Sequence, residues 1–310
     1  MTAGSISNQS DMKIIEKAYS FLSYRHQLSL LEARKDYRWL LIWFFGLSVL
    51  WIWDIFFLNQ LSYNLIKTAV FNTTISVTVA VMFSLFIGWG LAFLLVTLET
   101  NRKKRIYFIL IFIINLIRSI PQIIGLLIGY ILLTQLILKN VLTSQLSQLL
   151  WMAIVIGIFC SIEIFELISE RIAYFRKSDY FNAMLCCGIK ESRIINIEIL
   201  WKSSRAHLIQ KIVSQLGVVA LLQCSIDFII SVGLSTDVSL SNFPVTLGSL
   251  LAKLDSKQDI LAFGTMFLEP SYISEIFFQH LQGVSIAFII VFTLLAVYKI
   301  SDGLVEYYDL

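Results

Sequence analysis

Six apolar runs, at about residues 38–58, 72–98, 106–137, 148–169, 211–232 and 282–300, constrain this chain more than any other feature. Each approaches or exceeds the roughly 20 residues that an α-helix needs to cross a hydrocarbon core of about 30 Å. Lipid offers the backbone no water to bond, so such runs are expected as helices. The 310-residue chain is 57% hydrophobic, above the roughly 45–50% of a soluble domain, and the surplus is gathered in these runs. The expected fold is an all-α integral membrane protein of about six transmembrane helices.

Orientation follows from Lys and Arg counted loop by loop. The stretch up to Arg38 holds six, residues 99–105 hold four (Arg102, Lys103, Lys104 and Arg105), and residues 171–211 hold eight. The opposite side has only Lys67, Lys139, Lys253 and Lys257. Both termini are therefore expected in the cytoplasm. The division is an N-terminal tail, 1–37, a transmembrane domain, 38–300, with a cytoplasmic loop, 171–210, and an outer segment, 233–281, and a tail, 301–310. From Lys13 to Arg34 apolar residues recur among basic ones, as in a helix lying on the inner membrane surface. No uncharged apolar core precedes it, so a cleaved signal peptide is not expected.

Some chemistries are excluded. The net charge of +3 is small and its cations are spread among loops, which argues against nucleic acid. Cys160, Cys186, Cys187 and Cys224 have no metal-ligand spacing and read as small apolar residues, and no metal site is expected. No Gly-x-x-x-x-Gly-Lys-Ser/Thr loop is present, so any nucleotide-derived energy must come from another chain.

The third run is too long for a plain crossing, and Pro121 inside it removes a backbone donor, so a kink is expected there, with an interfacial first part. Arg118 lies just before it. A lone Arg at mid-depth costs about 2.5–3.5 kcal/mol, so it either faces a partner or watery path, or snorkels to the inner headgroups. Glu163 and Glu166, one turn apart, are candidates to pair with Arg118 or basic loop residues, or else mark the helix leaving the membrane. The outer segment is mildly acidic, through Asp237, Asp255, Asp259, Glu269 and Glu275, and has helical spacing at Leu247, Leu250, Leu251 and Leu254. It reads as an outer lid or docking surface, or as a satellite helix packed on the spans.

Between the fourth and fifth runs, residues 179–200 read as two short amphipathic helices meeting at Gly188, which tolerates the positive φ of a sharp turn. Phe181, Met184 and Leu185 fall on one side before it, and Ile194, Ile195 and Ile197 to Leu200 after it. Lys190, Glu191 and Arg193 are left for a wet or partner-facing side. The periodicity fits an ordinary loop hairpin as well as a docking knob.

The stretch resembles the cytoplasmic EAA loop of bacterial ABC-transporter permeases, in which Glu-Ala-Ala is followed after three residues by Gly. Asn182, Ala183 and Met184 stand at the Glu-Ala-Ala positions, Gly188 at the glycine, and Trp201 where a proline is usual. Asp179, Tyr180, Arg193, Ile194, Ile195, Ile199 and Leu200 also resemble what many members carry. Asn182, Met184 and Trp201 depart from the pattern. Arg118-Ser-Ile-Pro121 is similar to a stretch in the third span of some permeases, including phosphonate and methionine types. The run from Ser301 to Leu310 resembles the Gly-Asp-Gly-Leu-Arg-Asp ending of dipeptide, oligopeptide and nickel permeases, with Ser301 and Val305 departing from it.

The resemblance implies an importer permease of the bacterial cytoplasmic membrane, with peptides or a related small solute as cargo. Its partners would be cytoplasmic ATPase subunits holding ATP and Mg, a second permease chain of different sequence, an external solute-binding protein and the lipid bilayer. This chain would be no enzyme and hold no cofactor. Asp179, Tyr180, Asn182, Ala183, Met184, Gly188, Glu191, Arg193 and Leu200 would couple to the ATPase, and Arg118, Pro121, Glu163 and Glu166 would lie along the translocation path. The rivals are an ion-coupled transporter or channel using Arg118, Glu163 and Glu166, and a structural subunit that keeps the fold without coupling.

Overall fold

The computed structural model describes residues 34–100, 103–233, 243–253, 261–262, 264–274 and 281–308. The expected surface helix at Lys13–Arg34 falls outside them but for its last residue, as do Leu254, Asp237, Asp255, Asp259 and Glu275. Among the described residues there is no strand. The helices run α1 (Lys35–Phe57), α2 (Gln60–Thr100), α3 (Lys104–Ser119), α4 (Gln122–Leu138), α5 (Gln145–Arg176) and α6 (Asp179–Cys186). A single turn, Glu191–Arg193, then leads into a π-helix, π1 (Ile194–Ser203), followed by α7 (Arg205–Gly233), α8 (Leu247–Leu251) and α9 (Leu281–Tyr308).

Five helices, α1, α2, α5, α7 and α9, are long and apolar enough to cross a membrane, and α3 with α4 makes a sixth crossing when the bent pair is taken as one span. Their outer faces expose large apolar side chains, among them Phe44, Phe45, Phe56, Phe71, Phe86 and Phe112. Such faces associate in water and sit comfortably against acyl chains. The chain is an all-α, multi-pass membrane protein.

Helix directions follow from shared ends. Glu99 at the end of α2 bonds Arg176 at the end of α5, so both helices finish at one end of the bundle, beside the loop around Gly188. The α1–α2 turn at Leu58 and Asn59 is then at the far end, and α1 begins at the loop end. The α3–α4 pair starts at the loop end and finishes where α5 begins.

The helices outrun the apolar segments that announce them. α2 continues three turns beyond its apolar run at the far end because Asn59 caps it, the Asn59 Oδ1 accepting from Ser62 N at 2.8 Å. α9 runs on through residues expected as a tail. At Pro121 the expected kink is a full break of 94°. Ile120 before it is extended, at φ −86° and ψ 121°, as the residue preceding a proline is driven to be.

The innermost contact is α2 against α5, two parallel helices. Ser76, Ala80, Ser84, Gly88 and Ala92 recur every four residues along one face of α2 and are buried. Ala153, Gly157 and Ser161 do the same on α5. A side chain at Gly88 would meet the Ser161 carbonyl oxygen at 2.7 Å and Ile164 Cβ at 2.8 Å. Small residues let membrane helices approach closely where lipid supplies no hydrophobic force to join them. Polar bonds set the other helices. Ser76 donates to Gln223 of α7 at 2.6 Å, Gln215 of α7 donates to the Cys160 carbonyl of α5 at 3.1 Å, and Ser285 of α9 donates to Asp54 of α1 at 2.6 Å. The outer segment contributes a helix packed on the spans. α8 starts at a capping box of Thr246 and Ser249, with Leu247 N donating to Thr73 Oγ1 at 3.0 Å and Asn72 donating to the Val245 carbonyl at 2.8 Å.

Gly88→Val should force α2 off α5 and destabilise the bundle by about 1–3 kcal/mol, the cost of overpacking. Thermal unfolding in detergent, followed by size-exclusion fluorescence, measures it. A midpoint equal to wild type would show that the α2–α5 contact does not hold the bundle together.

Candidate functional site

The loop between α5 and α7 is built on the turn at Gly188. α6 ends in a Schellman closure: Ile189 N donates to the Met184 carbonyl at 3.2 Å and Gly188 N to the Leu185 carbonyl at 2.9 Å. Gly188 carries φ +78°, and a Cβ built there meets nothing within 4 Å. Glycine is needed for its backbone conformation and not for space. The expected two-part hairpin is present, with a difference in its second part. Ile194–Ser203 winds as a π-helix, closed by Ser204 N donating to the Ile199 carbonyl at 2.8 Å. The wider winding suits the sequence, because Ile194, Ile195, Ile199 and Leu200 repeat at five residues and all are buried. Ile197 and Trp201 point outward instead, at 41% and 70% exposed.

The buried side of the hairpin is seated on the two central helices. Phe181, Ile194, Ile195, Ile199 and Leu200 pack with Ala92 and Val96 of α2 and with Ile164, Ile168 and Ile172 of α5. Trp89 of α2 adds a bond from Nε1 to Asn196 Oδ1 at 3.1 Å. Leu200, expected to couple outward, is therefore part of the seat.

Polar contacts fix the direction of the hairpin. Arg176 donates to Glu99 Oε2 at 2.6 Å and also to Glu191, and Thr100 Oγ1 donates to Glu191 Oε2 at 3.0 Å. Glu191, expected on the wet side, thus turns in to join the loop to the ends of α2 and α5. Besides Ile197 and Trp201, the exposed surface includes Asp179, Tyr180, Asn182, Ala183, Leu185, Cys186, Cys187, Gly188, Lys190 and Arg193, with Met184 half-buried. Cys160 and Cys224 are buried as expected of small apolar residues, whereas Cys186 and Cys187 are exposed at the hairpin's tip. Sequence reading missed Glu99, Thr100 and Arg176. The signal was an acid and a base of opposite sign ending two spans on the side where charge counting puts this loop.

The second cluster also assembles. Arg118, at the end of α3, pairs with Glu166 at 3.1 Å while its side chain stays 65% exposed, so it has both a partner and access to the surroundings. Glu163 accepts from Lys211 of α7 at 2.7 Å and from Gln122 of α4 at 3.1 Å. Glu163 and Glu166 lie within α5, which runs on to Arg176. Pro121 supplies the break that brings Arg118 and Gln122 to the same helix.

Compared with known proteins, the chain matches no protein-family model and no curated protein.

Arg176→Gln leaves Glu99 and Glu191 without their shared cation. The loop should loosen by roughly 1.5 kcal/mol, the scale of a bond to a charged group, and amides of π1 should exchange with deuterium about tenfold faster. Unchanged exchange would show that the apolar seat alone holds the hairpin.

Proposed function

We propose that the chain is the membrane-spanning permease subunit of an ATP-binding-cassette transporter, docking on a separate cytoplasmic ATPase through the hairpin around Gly188. One observation carries this reading: the hairpin is exposed at its tip and tied at its base to the ends of α2 and α5 by an apolar seat and the Arg176 fork. Such a knob passes a push on its tip into two helices at once. Leu185, Ile197 and Trp201 leave apolar surface on it, which favours a protein partner.

In this reading the loop end faces the cytoplasm. It gathers Lys103, Lys104, Arg105, Arg176, Lys177, Lys190, Arg193, Lys202 and Arg205, against Lys67, Lys139 and Lys253 among the described residues of the far end. One such subunit forms half of a path, so a second permease chain, of different sequence, supplies the other half. ATP and Mg belong to the ATPase. The likeness to peptide-type permeases makes peptides or a related small solute the cargo, delivered by an external binding protein across a bacterial cytoplasmic membrane. The ion-coupled alternative draws on the Glu163–Lys211 and Arg118–Glu166 pairs within the bundle. Nucleotide dependence separates the two, since an ion-coupled transporter does not respond when ATP binding by a co-purifying ATPase is abolished.

Purification of the chain from its native membrane in mild detergent should bring an ATPase with a phosphate-binding loop and a second six-span chain. In that complex Cys186 and Cys187 should lose the maleimide reactivity they have in the chain alone. Gly188→Val, which forces a β-branched residue to positive φ at a cost of about 1–2 kcal/mol or more, should stop transport at normal membrane abundance. Recovery of the chain alone, or normal transport by Gly188→Val, would refute the assignment.

A further inference from the structure

At the end of the bundle away from the Gly188 hairpin, α1 and α2 part after their shared turn, α1 packing on α9 and α2 on α5. Between them lies an open cleft of about 600 Å³, within the range of small-molecule sites, lined by Trp51 of α1 and by Asn64, Lys67, Thr68, Val70 and Phe71 of α2. Asn64, Lys67, Thr68 and Phe71 follow one another at helical spacing, so they form a single stripe down α2. Lys67 is exposed, and among the described residues no carboxylate pairs with it. The Thr68 hydroxyl is committed to the Asn64 carbonyl at 2.9 Å, so the Lys67 ammonium and the Asn64 amide are left as donors at the outer level of the cleft, beside the Trp51 indole N–H and above the Thr74 hydroxyl at its deep end.

Depth decides what that ligand is. Lys67 stands about 12 Å along α2 from the turn at Asn59, at about 1.5 Å per residue. Trp51 and Tyr63 meet edge to face beside it, with ring centroids 5.5 Å apart, and such aromatic pairs collect at the level of lipid headgroups. Below Lys67 the wall is apolar at Val70 and Phe71, with Thr74 at its deep end. A cation and an amide donor at headgroup level, above an apolar groove leading into the hydrocarbon, match a phosphodiester joined to an acyl chain. The cleft contains no acid, so a headgroup with net negative charge fits better than a zwitterionic one.

We propose that the cleft between α1 and α2 holds one anionic glycerophospholipid, its phosphodiester on Lys67 and Asn64 and its acyl chain along Val70 and Phe71 against Trp51. The site is independent of the transport reading, because it uses none of the loop-end residues.

The test is native mass spectrometry of the full chain after exchange into nanodiscs of phosphatidylcholine doped with phosphatidylglycerol, followed by mild delipidation. Wild type and Lys67→Arg should each retain one phosphatidylglycerol, and in Lys67→Gln retention should fall about tenfold, as expected on losing one charge-assisted bond. Lys67 is exposed, so thermal unfolding of Lys67→Gln should match wild type. Several results overturn the proposal. One is no retained phosphatidylglycerol on wild type whose fold survives delipidation; another is equal retention by Lys67→Gln, or equal retention of phosphatidylcholine. Release of the lipid by millimolar inorganic phosphate would reassign the cleft to a soluble anion. Disulfide-linked dimers through Thr74→Cys, which lines its deep end, would reassign it to contact between copies.

Discussion

The close approach of α2 to α5 is the contact on which the rest of the bundle depends. Inside a bilayer, helices gain nothing by hiding apolar side chains from lipid, so they associate through van der Waals contact and the few polar bonds they can make. The four-residue repeat of Ser76, Ala80, Ser84, Gly88 and Ala92 removes side-chain bulk along one line of α2, and Ala153, Gly157 and Ser161 do so on α5. The two helices run parallel and finish together. Their C-terminal carbonyls concentrate partial negative charge at one place, joined there by Glu99. Arg176 is the cation that this arrangement calls for, and it is also what holds Glu191 of the hairpin.

Buried polar groups then set how the other helices are turned. Gln215 and Gln223 lie two turns apart on α7, one reaching α5 and the other α2. A rotation of α7 would leave both without partners in hydrocarbon, where such bonds are worth about 0.6–2 kcal/mol each. Asp54 and Ser285 fix α1 against α9 in the same way. Gln223 also donates to Asp227 at 3.4 Å, extending the polar line on α7 toward the end where α8 is capped. Apolar matching alone would permit several rotations of these helices, and the polar contacts select one.

Much of this was legible in the sequence, for reasons that also explain what was not. The spans follow from apolar length, the break at Pro121 from a missing donor, and the turn at Gly188 from a backbone that only glycine adopts readily. Such properties belong to single residues or short runs. The seat of the hairpin was partly legible, since Ile194, Ile195, Ile199 and Leu200 are plainly apolar, yet a five-residue repeat read with a helical period of 3.6 places Ile197 inside as well. The inward turn of Glu191 and the pairing of Glu163 with Lys211 depend on which helices end side by side, which no local pattern states. Cys186 and Cys187 read as apolar by type, and the helix closure just before Gly188 puts them at the tip. The small-residue repeat on α2 was present in the sequence and needed only to be counted at intervals of four.

The hairpin's attachment also bears on how it would act in the permease reading. Its apolar seat includes four buried aliphatic side chains from π1, each worth about 1.5–3 kcal/mol when fully buried, which outweighs any half-exposed ion pair. The seat therefore keeps the hairpin on the bundle, but contacts between aliphatic groups are non-directional and permit sliding. The Arg176 fork is directional: its planar donors reach Glu99 and Glu191 together only for one placement of the loop over the helix ends. Pulling on the hairpin then draws on the seat, while tilting it draws on the fork. Because both lead to α2 and α5, which are packed too closely to move apart without loss of contact, the two helices would respond as one body.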